Sequence, residues 1–159
     1  QIYTVQCDLQ KVRFVVEVPG ELPPVNGDKR RLGQVFSNIL SNALKFTPVG
    51  GEVRLLTSLE GDDGGAGLIH VAITDTGPGI EEKDLERLFE KFTVIHPTPR
   101  IRRGTGLGMP IAREIVQRQG GRIWVERWVG EGSTFHFTIP VRAEGSEGPA
   151  SPEEEPHGA

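Results

Sequence analysis

The sequence has little cysteine, no long apolar run and no excess of positive charge. Cys7 is the single cysteine among 159 residues, which excludes an internal disulfide framework and fits a reducing compartment. We expect it to be a small strand residue without a functional role. No apolar run approaches the roughly 20 residues that cross a bilayer, and the first residues lack the features of a secretory signal. A net charge of −4 disfavours a nucleic-acid platform, which normally carries a basic excess.

These absences favour one soluble, cytoplasmic domain that contacts neither a membrane nor a nucleic acid. A hydrophobic content of 36% is enough for a proper core. We expect the folded domain to span 1–142 and to be monomeric when isolated. Residues 143–159 are rich in Gly, Pro, Ser and Glu and have almost nothing to bury, so they are predicted to form a disordered acidic tail.

Strand and helix patterns alternate from residue 12 to residue 141. Apolar residues at period two indicate strands, and apolar residues three and four apart indicate helices. Asp28 is the expected N-cap of the longest helix, which should end near Thr47 because Pro48 follows. The chain is expected to begin close to a strand. The full pattern predicts strands at 12–18, 52–59, 68–75, 123–127 and 134–141, helices at 28–47, 85–92 and 110–119, and a mobile loop at 93–103.

This order of elements is typical of an α/β (α+β) two-layer sandwich, in which helices cover one face of a mixed sheet. The polar groups that could carry function converge on the gap between the helices and a loop. On the longest helix, Gln34, Asn38, Asn42 and Lys45 form a stripe beside the apolar one. A solvated face is the usual explanation of such a stripe, but solvated faces are dominated by Glu, Lys and Arg rather than by amides.

An aspartate and two glycine clusters complete the candidate site. Asp75 ends an apolar strand, and Gly77 and Gly79 follow it. Asp75 could simply cap its own turn, or it could accept a hydrogen bond from an adenine amino group. Glycines at 104, 106 and 108 directly precede a helix, where free backbone N–H groups and the positive helix end can bind phosphate. Their spacing fits neither the dinucleotide fingerprint nor the Walker loop.

Four segments in this order resemble the N box, first glycine box, F box and second glycine box of sensor histidine kinases. The resemblance covers nearly everything from Phe14 to Pro140, including the residues at 28–35, 88–92 and 132–135. It implies the Bergerat ATP-binding fold of the gyrase, Hsp90, histidine kinase and MutL superfamily. ATP and Mg²⁺ would then be the cofactors, bound under a mobile ATP lid.

The resemblance also implies roles for single residues on the first helix. It assigns Asn42 to the magnesium ion and Asn38 to the metal or to the water network beside the phosphates. Lys45 matches a phosphate-contacting lysine. Phe46 lies where the family has an aromatic residue next to the nucleotide.

Further matches fall on the adenine and phosphate ends of the site. Asp75 matches the carboxylate that reads adenine, and Gly77, Gly79 and Ile80 match the adjoining pocket wall. Thr134 matches a residue that supports Asp75 or the adenine through water. The triphosphate loop is matched by Gly104, Thr105, Gly106, Leu107 and Gly108.

The sequence departs from the family pattern in the lid and in the acceptor. The lid lacks the usual Tyr-Arg pair, which leaves open which of Arg100, Arg102 and Arg103 approaches the γ-phosphate. None of the four histidines has the expected flanking pattern of a phosphoacceptor, and all four are interpreted as non-catalytic: His70, His96, His136 and His157. The acceptor histidine should therefore lie on a separate dimerisation domain of the parent protein, with a response regulator downstream.

Three alternative functions remain open. A gyrase, MutL or Hsp90-type ATPase uses the same pocket but normally needs a glutamate as general base where this chain has Asn38. A serine-kinase anti-sigma factor is also expected to have an acidic residue there. The third alternative is a non-catalytic nucleotide-sensing module, which would bind MgATP without transferring phosphate.

Overall fold

The computed structural model describes residues 2–61, 67–91, 106–128 and 130–142, without the side chains at 127 and 128. The predicted lid at 93–103 and the predicted tail at 143–159 lie outside the described residues. The elements in chain order are α1 (Ile2–Gln10), β1 (Arg13–Glu17), α2 (Lys29–Phe46), β2 (Glu52–Glu60), β3 (Leu68–Asp75), α3 (Glu82–Leu85), α4 (Gly108–Arg118), β4 (Ile123–Trp128) and β5 (Gly132–Pro140).

The strands form one five-stranded mixed sheet in the order β1-β2-β3-β5-β4. β1 runs parallel to β2, and every other neighbouring pair is antiparallel. β2 with β3 and β4 with β5 form the two antiparallel pairs of strands that follow each other in the chain. The predicted fold class, a mixed sheet in a two-layer arrangement, is confirmed.

The core lies between one face of the sheet and the helices α2 and α4. Side chains of β3 alternate strictly between half-buried and buried, so one face of this strand enters the core. The ring of Phe36 on α2 meets Phe137 on β5 edge to face, at 5.1 Å between centroids. No helix in the described parts of the chain is long and apolar enough to cross a bilayer.

Helix α2 begins and ends where local chemistry requires. Asp28 accepts hydrogen bonds from the backbone N–H groups of Arg30 and Arg31, at 2.8 and 3.1 Å, as an N-cap does. At the other end Thr47 is already extended, with ψ of 124°, because Pro48 disfavours helical geometry in the preceding residue. Both predicted ends are confirmed, and the amide stripe is therefore fixed on a helix of known register.

The prediction that the chain begins close to a strand is wrong. Residues Ile2–Gln10 form α1, and Cys7 is a buried helix residue rather than a strand residue. The Tyr3 hydroxyl lies 2.6 Å from the Ser37 hydroxyl of α2, so α1 is fixed by a tertiary contact. The apolar residues Ile2, Val5 and Leu9 are 59 to 79% exposed. Their positions in the sequence therefore do not indicate which face of α1 packs against the protein.

The predicted helix at 85–92 is also placed differently. The structure has a single helical turn, α3, over Glu82–Leu85, followed by turns to residue 91. Leu88 is buried in these turns and Phe89 packs against the core. The apolar spacing therefore reports burial here, not a continuing helix.

Candidate nucleotide-binding site

Asp75 is the polar centre of the site. It stands at the end of β3 and is only 4% exposed. Its Oδ1 accepts a hydrogen bond from the Gly77 backbone N–H at 2.9 Å. Burial raises the pKa of Asp75 to about 6, although hydrogen bonds from the backbone of Gly77 and Ser133 act in the opposite direction. The carboxylate is therefore costly to keep in the folded chain and available to a donor on a ligand.

The two glycines after Asp75 are needed for different reasons, the first steric and the second conformational. A Cβ on Gly77 would approach the Asp75 carboxylate to 2.8 Å and the Phe46 carbonyl oxygen to 2.9 Å, which leaves no room for a side chain. Gly79 has φ of +77°, in the region that favours glycine. Gly77 thus lets the turn lie against the end of α2, and Gly79 lets its backbone take this conformation.

A pocket with an empty volume of about 400 Å³, including the solvent at its mouth, opens beside Asp75. Its walls are mainly apolar, with a few polar groups. Such a lining suits a flat heterocycle that offers an amino donor to the carboxylate. The lining residues are Asn42, Phe46, Asp75, Pro78, Gly79, Ile80, Leu88, Ser133 and Phe135.

Asn38 connects α2 to the start of α4. Its Nδ2 donates a hydrogen bond to the Gly108 carbonyl oxygen at 2.9 Å, which leaves its amide oxygen for another partner. Asn42 follows one turn later on the same side of α2 and lines the pocket. The amide stripe therefore runs between the pocket and the first turn of α4.

The first turn of α4 has the properties of an anion site. Gly106 has φ of +68°, and Leu107 caps the helix without a side-chain hydrogen bond. The first backbone N–H groups of a helix have no partner within it and, with the helix dipole, attract anions. Gly106, Leu107 and Gly108 thus lie at a suitable place for phosphates, whereas Gly104 and Thr105 lie outside the described residues.

Lys45 and Phe46 differ in their relation to the pocket. Phe46 lines it. Lys45 does not, and its ammonium lies over the Phe46 ring at 5.4 Å from the centroid. Lys45 is in the last turn of α2, next in sequence to Phe46.

Thr134 does not point into the pocket. Its hydroxyl lies 3.0 Å from that of Thr74, and both side chains face away from the helices because their neighbours Asp75 and Ser133 face inward. The residue opposite Asp75 is Ser133, which is buried and lines the pocket. The predicted support from Thr134 is therefore corrected to Ser133.

Four lining residues were not among the predicted site residues: Pro78, Leu88, Ser133 and Phe135. Strand alternation could have identified Ser133, since a residue paired with Asp75 must face the same side. Leu88 and Phe135 belong to segments that carry the family resemblance. Pro78 lies inside the Thr-Gly-Pro-Gly turn and gave no separate signal.

The residues present fit a magnesium ion that is held mainly by its nucleotide. Among the described residues, no group of three or more His, Cys, Asp or Glu side chains could hold a metal ion. Mg²⁺ commonly binds to one or two protein oxygens together with water and substrate phosphates. The amide oxygens of Asn38 and Asn42 are suitable protein ligands of that kind.

Comparison with known proteins defines the class. Residues 27–143 match the family of histidine kinase-, DNA gyrase B-, and HSP90-like ATPases, and the chain belongs to that family. The mycobacterial sensor histidine kinase MprB has a similar structure, with a TM-score of 0.72 and 30% identity, over 89% of this chain and 92% of that one. The predicted Bergerat-type fold is thereby confirmed, as is the domain type, the ATP-binding domain of a sensor histidine kinase.

The curated relatives are sensor kinases of greater length. The adaptive-response sensory kinase SasA of Synechococcus sp. strain JA-2-3B'a(2-13) is 39% identical over 83% of this chain and 34% of its own length. The sensor histidine kinase WalK of Bacillus subtilis is 38% identical over 85% of this chain and 22% of its own. The chain thus spans about a third or less of these relatives.

Proposed function

We propose that this domain binds MgATP and donates the γ-phosphoryl group to a histidine on a separate dimerisation and phosphoacceptor domain of its parent protein. A response regulator would receive the phosphoryl group next. Family membership supports the ATP site, and the buried Asp75 beside an apolar pocket supports adenine binding. The proposed location is the cytoplasm, where ATP is available, and the isolated domain is proposed to be a monomer.

The absence of acidic residues from α2 is the observation that favours a phosphodonor over a hydrolase. The helix Lys29–Phe46 contains neither Asp nor Glu. Activation of water needs a group that can take a proton, and an amide such as Asn38 cannot. An ATPase of the gyrase type and an anti-sigma kinase are both less compatible with this helix.

The position of the histidines supports an acceptor elsewhere. His70 and His136 lie on β3 and β5, where their rings stack on Trp124 on the sheet face opposite the pocket. His96 and His157 lie outside the described residues. The chain's own contribution is then to hold ATP, with Asn38 and Asn42 placed for the metal and the α4 N-terminus for the phosphates. When bound, Mg²⁺ would neutralise charge that develops on the phosphoryl oxygens.

The test combines this domain with the parent protein's separately produced dimerising hairpin and γ-labelled ATP. We expect acid-labile phosphohistidine on the hairpin and no label on the domain. Asn42→Ala should abolish the labelling, whereas Asn26→Ala, an exposed asparagine before α2, should not change it. Rapid phosphate release by the domain alone would support the gyrase-type ATPase. Labelling of a serine on a partner protein would support the anti-sigma kinase. ATP binding without either reaction would support a nucleotide sensor.

A further inference from the structure

A group of polar and aromatic side chains occupies the outer face of the sheet, opposite the nucleotide pocket. We call it the outer histidine cluster, and it consists of Glu60, His70, Trp124, Glu126 and His136. The Trp124 ring is nearly parallel to both imidazoles, at 11° to His70 and 8° to His136. The Arg122 guanidinium lies over Trp124, 5.7 Å from the ring centroid.

With both imidazoles neutral, the hydrogen bonds in the cluster determine where the protons lie. Glu60 Oε1 is 2.9 Å from His70 Nδ1, and an ionised carboxylate only accepts, so Nδ1 carries a proton. In the neutral ring, His70 Nε2 then accepts. His136 Nδ1, 2.9 Å away, must therefore be the donor, and the remaining lone pair of His136 is on Nε2.

That lone pair faces another acceptor. His136 is 8% exposed, and its Nε2 is buried without a hydrogen-bond partner. Glu126 Oε2 lies 3.6 Å from this nitrogen, too far for a hydrogen bond. Two acceptors therefore face each other, an arrangement that a cation between them would stabilise.

We propose that His136 Nε2 and Glu126 bind a divalent transition metal ion of the Zn²⁺ class. Zinc lies about 2.0–2.1 Å from histidine nitrogen and carboxylate oxygen, so ligand atoms 3.6 Å apart subtend an angle of about 120° at the metal. That angle is close to tetrahedral. Glu126 is exposed, with 56% of its side chain accessible, so water can complete the coordination.

The rest of the cluster has the form of an outer shell for this ion. A metal-bound histidine usually donates its other ring N–H to a partner that fixes its tautomer. Here His70 accepts that hydrogen bond and Glu60 holds His70 in turn. The charged side chains around the site are Glu60, Glu126 and Arg122, two acidic against one basic. The site has only two protein ligands, since no group of three or more His, Cys, Asp or Glu side chains among the described residues could hold a metal ion, and it therefore stays open to water.

The proposed site is separate from the nucleotide site. Asp75 on β3 and Ser133 on β5 line the pocket on the helix side of the sheet, whereas His70 and His136 lie on its outer side. The proposal therefore does not rest on ATP binding.

The test is a Zn²⁺ titration of the tag-free full chain without nucleotide, in competition with a chromophoric chelator. We expect one saturable site. Glu126→Gln, an exposed and nearly isosteric change, should remove it. Glu60→Gln should weaken Zn²⁺ binding about tenfold, because the amide can donate to His70 and no longer fixes the tautomers. The matched control Glu21→Gln changes an exposed glutamate far along the chain and should leave the affinity unchanged.

Imidazole ¹⁵N NMR supplies a readout that does not depend on removing a buried side chain. Without metal, His136 should carry its proton on Nδ1, and one equivalent of Zn²⁺ should shift Nε2. A proton on His136 Nε2 in the metal-free chain would overturn the proposal. So would Zn²⁺ binding that Glu126→Gln leaves intact while the His136 signals do not move, because the ion would then be bound elsewhere.

Discussion

At the scale of single residues, burial of the Asp75 carboxylate destabilises the fold, but it provides an acceptor for a bound ligand. Replacing it by Asn keeps an oxygen for the Gly77 N–H but presents an amide donor to the adenine amino group. An unmatched buried donor costs about 1–3 kcal/mol, so we expect Asp75→Asn to weaken ATP binding about 5- to 150-fold. Isothermal titration calorimetry measures the effect.

Thr134→Val is the matched control for Asp75→Asn. Thr134 is one residue from Ser133 in sequence but faces the outer side of the sheet, where it meets Thr74. ATP affinity should therefore be unchanged in Thr134→Val. An equal loss in both variants would contradict the assignment of Ser133, and not Thr134, to the pocket.

The pKa of Asp75 predicts how stability depends on pH. The pKa is raised from 3.8 to about 6, so between these values the folded chain holds a proton that the unfolded chain has lost. The free energy of unfolding should consequently fall as pH rises through this window, by about 3 kcal/mol in total. Urea denaturation at pH 4 to 7 would reveal this slope. Asp75→Asn should lack it, and an identical pH profile in both proteins would refute the prediction.

At the scale of elements, sequence reasoning succeeded where local chemistry and burial agree. Asp28, the apolar stripe and Pro48 each mark α2, and the structure has that helix at the predicted place. β2 and β3 also follow prediction, because their alternation reflects one buried face. The places of the amide stripe on α2 and of Asp75 at the end of β3 therefore follow from the sequence.

The sequence-based predictions were wrong where tertiary contacts determine the local structure. In Ile2–Gln10 the inward-facing residues are Tyr3 and Cys7, while the larger aliphatic residues are exposed. Its β-branched residues are typical of strands. Thr134 and Ser133 differ only in which side of the sheet they face. That choice depends on the register between β3 and β5, with Asp75 opposite Ser133, and one residue of slip reverses it.

The contact of α1 with α2 gives a test at this scale. Tyr3→Phe removes the hydroxyl that lies 2.6 Å from Ser37 Oγ and keeps the ring. A typical hydrogen bond contributes about 0.5–1.5 kcal/mol, and we expect a loss of stability in that range by chemical denaturation. The same hydroxyl also lies 3.2 Å from the Ser37 carbonyl oxygen and 3.5 Å from Ser41 Oγ. Tyr3→Phe in a Ser37→Ala background should therefore cost less, since one of three partners is absent, but not nothing. Equal losses in both backgrounds would show that the Ser37 hydroxyl does not help to hold α1.

At the scale of the whole molecule, the proposed nucleotide site has two parts that meet at α2. The proposed adenine part lies in the pocket formed by the end of β3, the turn after it, the start of β5 and the last turns of α2. The phosphate part is formed by α2 and the first turn of α4, which Asn38 joins through Gly108. Asn38 does not line the pocket beside Asp75, so the two parts can be separated by substitution.

Adenosine and ATP together test this separation. Asn38→Ala should leave adenosine affinity unchanged, because adenosine has no phosphates. It should weaken ATP binding about tenfold, or roughly 1.4 kcal/mol, since the hydrogen bond to Gly108 and a proposed metal ligand are lost together. Removing Mg²⁺ with EDTA should weaken ATP binding in the wild type, again without affecting adenosine. Because both changes act on the same contact, their combined effect on ATP should be smaller than the sum of the two. Fully additive losses would place the magnesium ion away from Asn38.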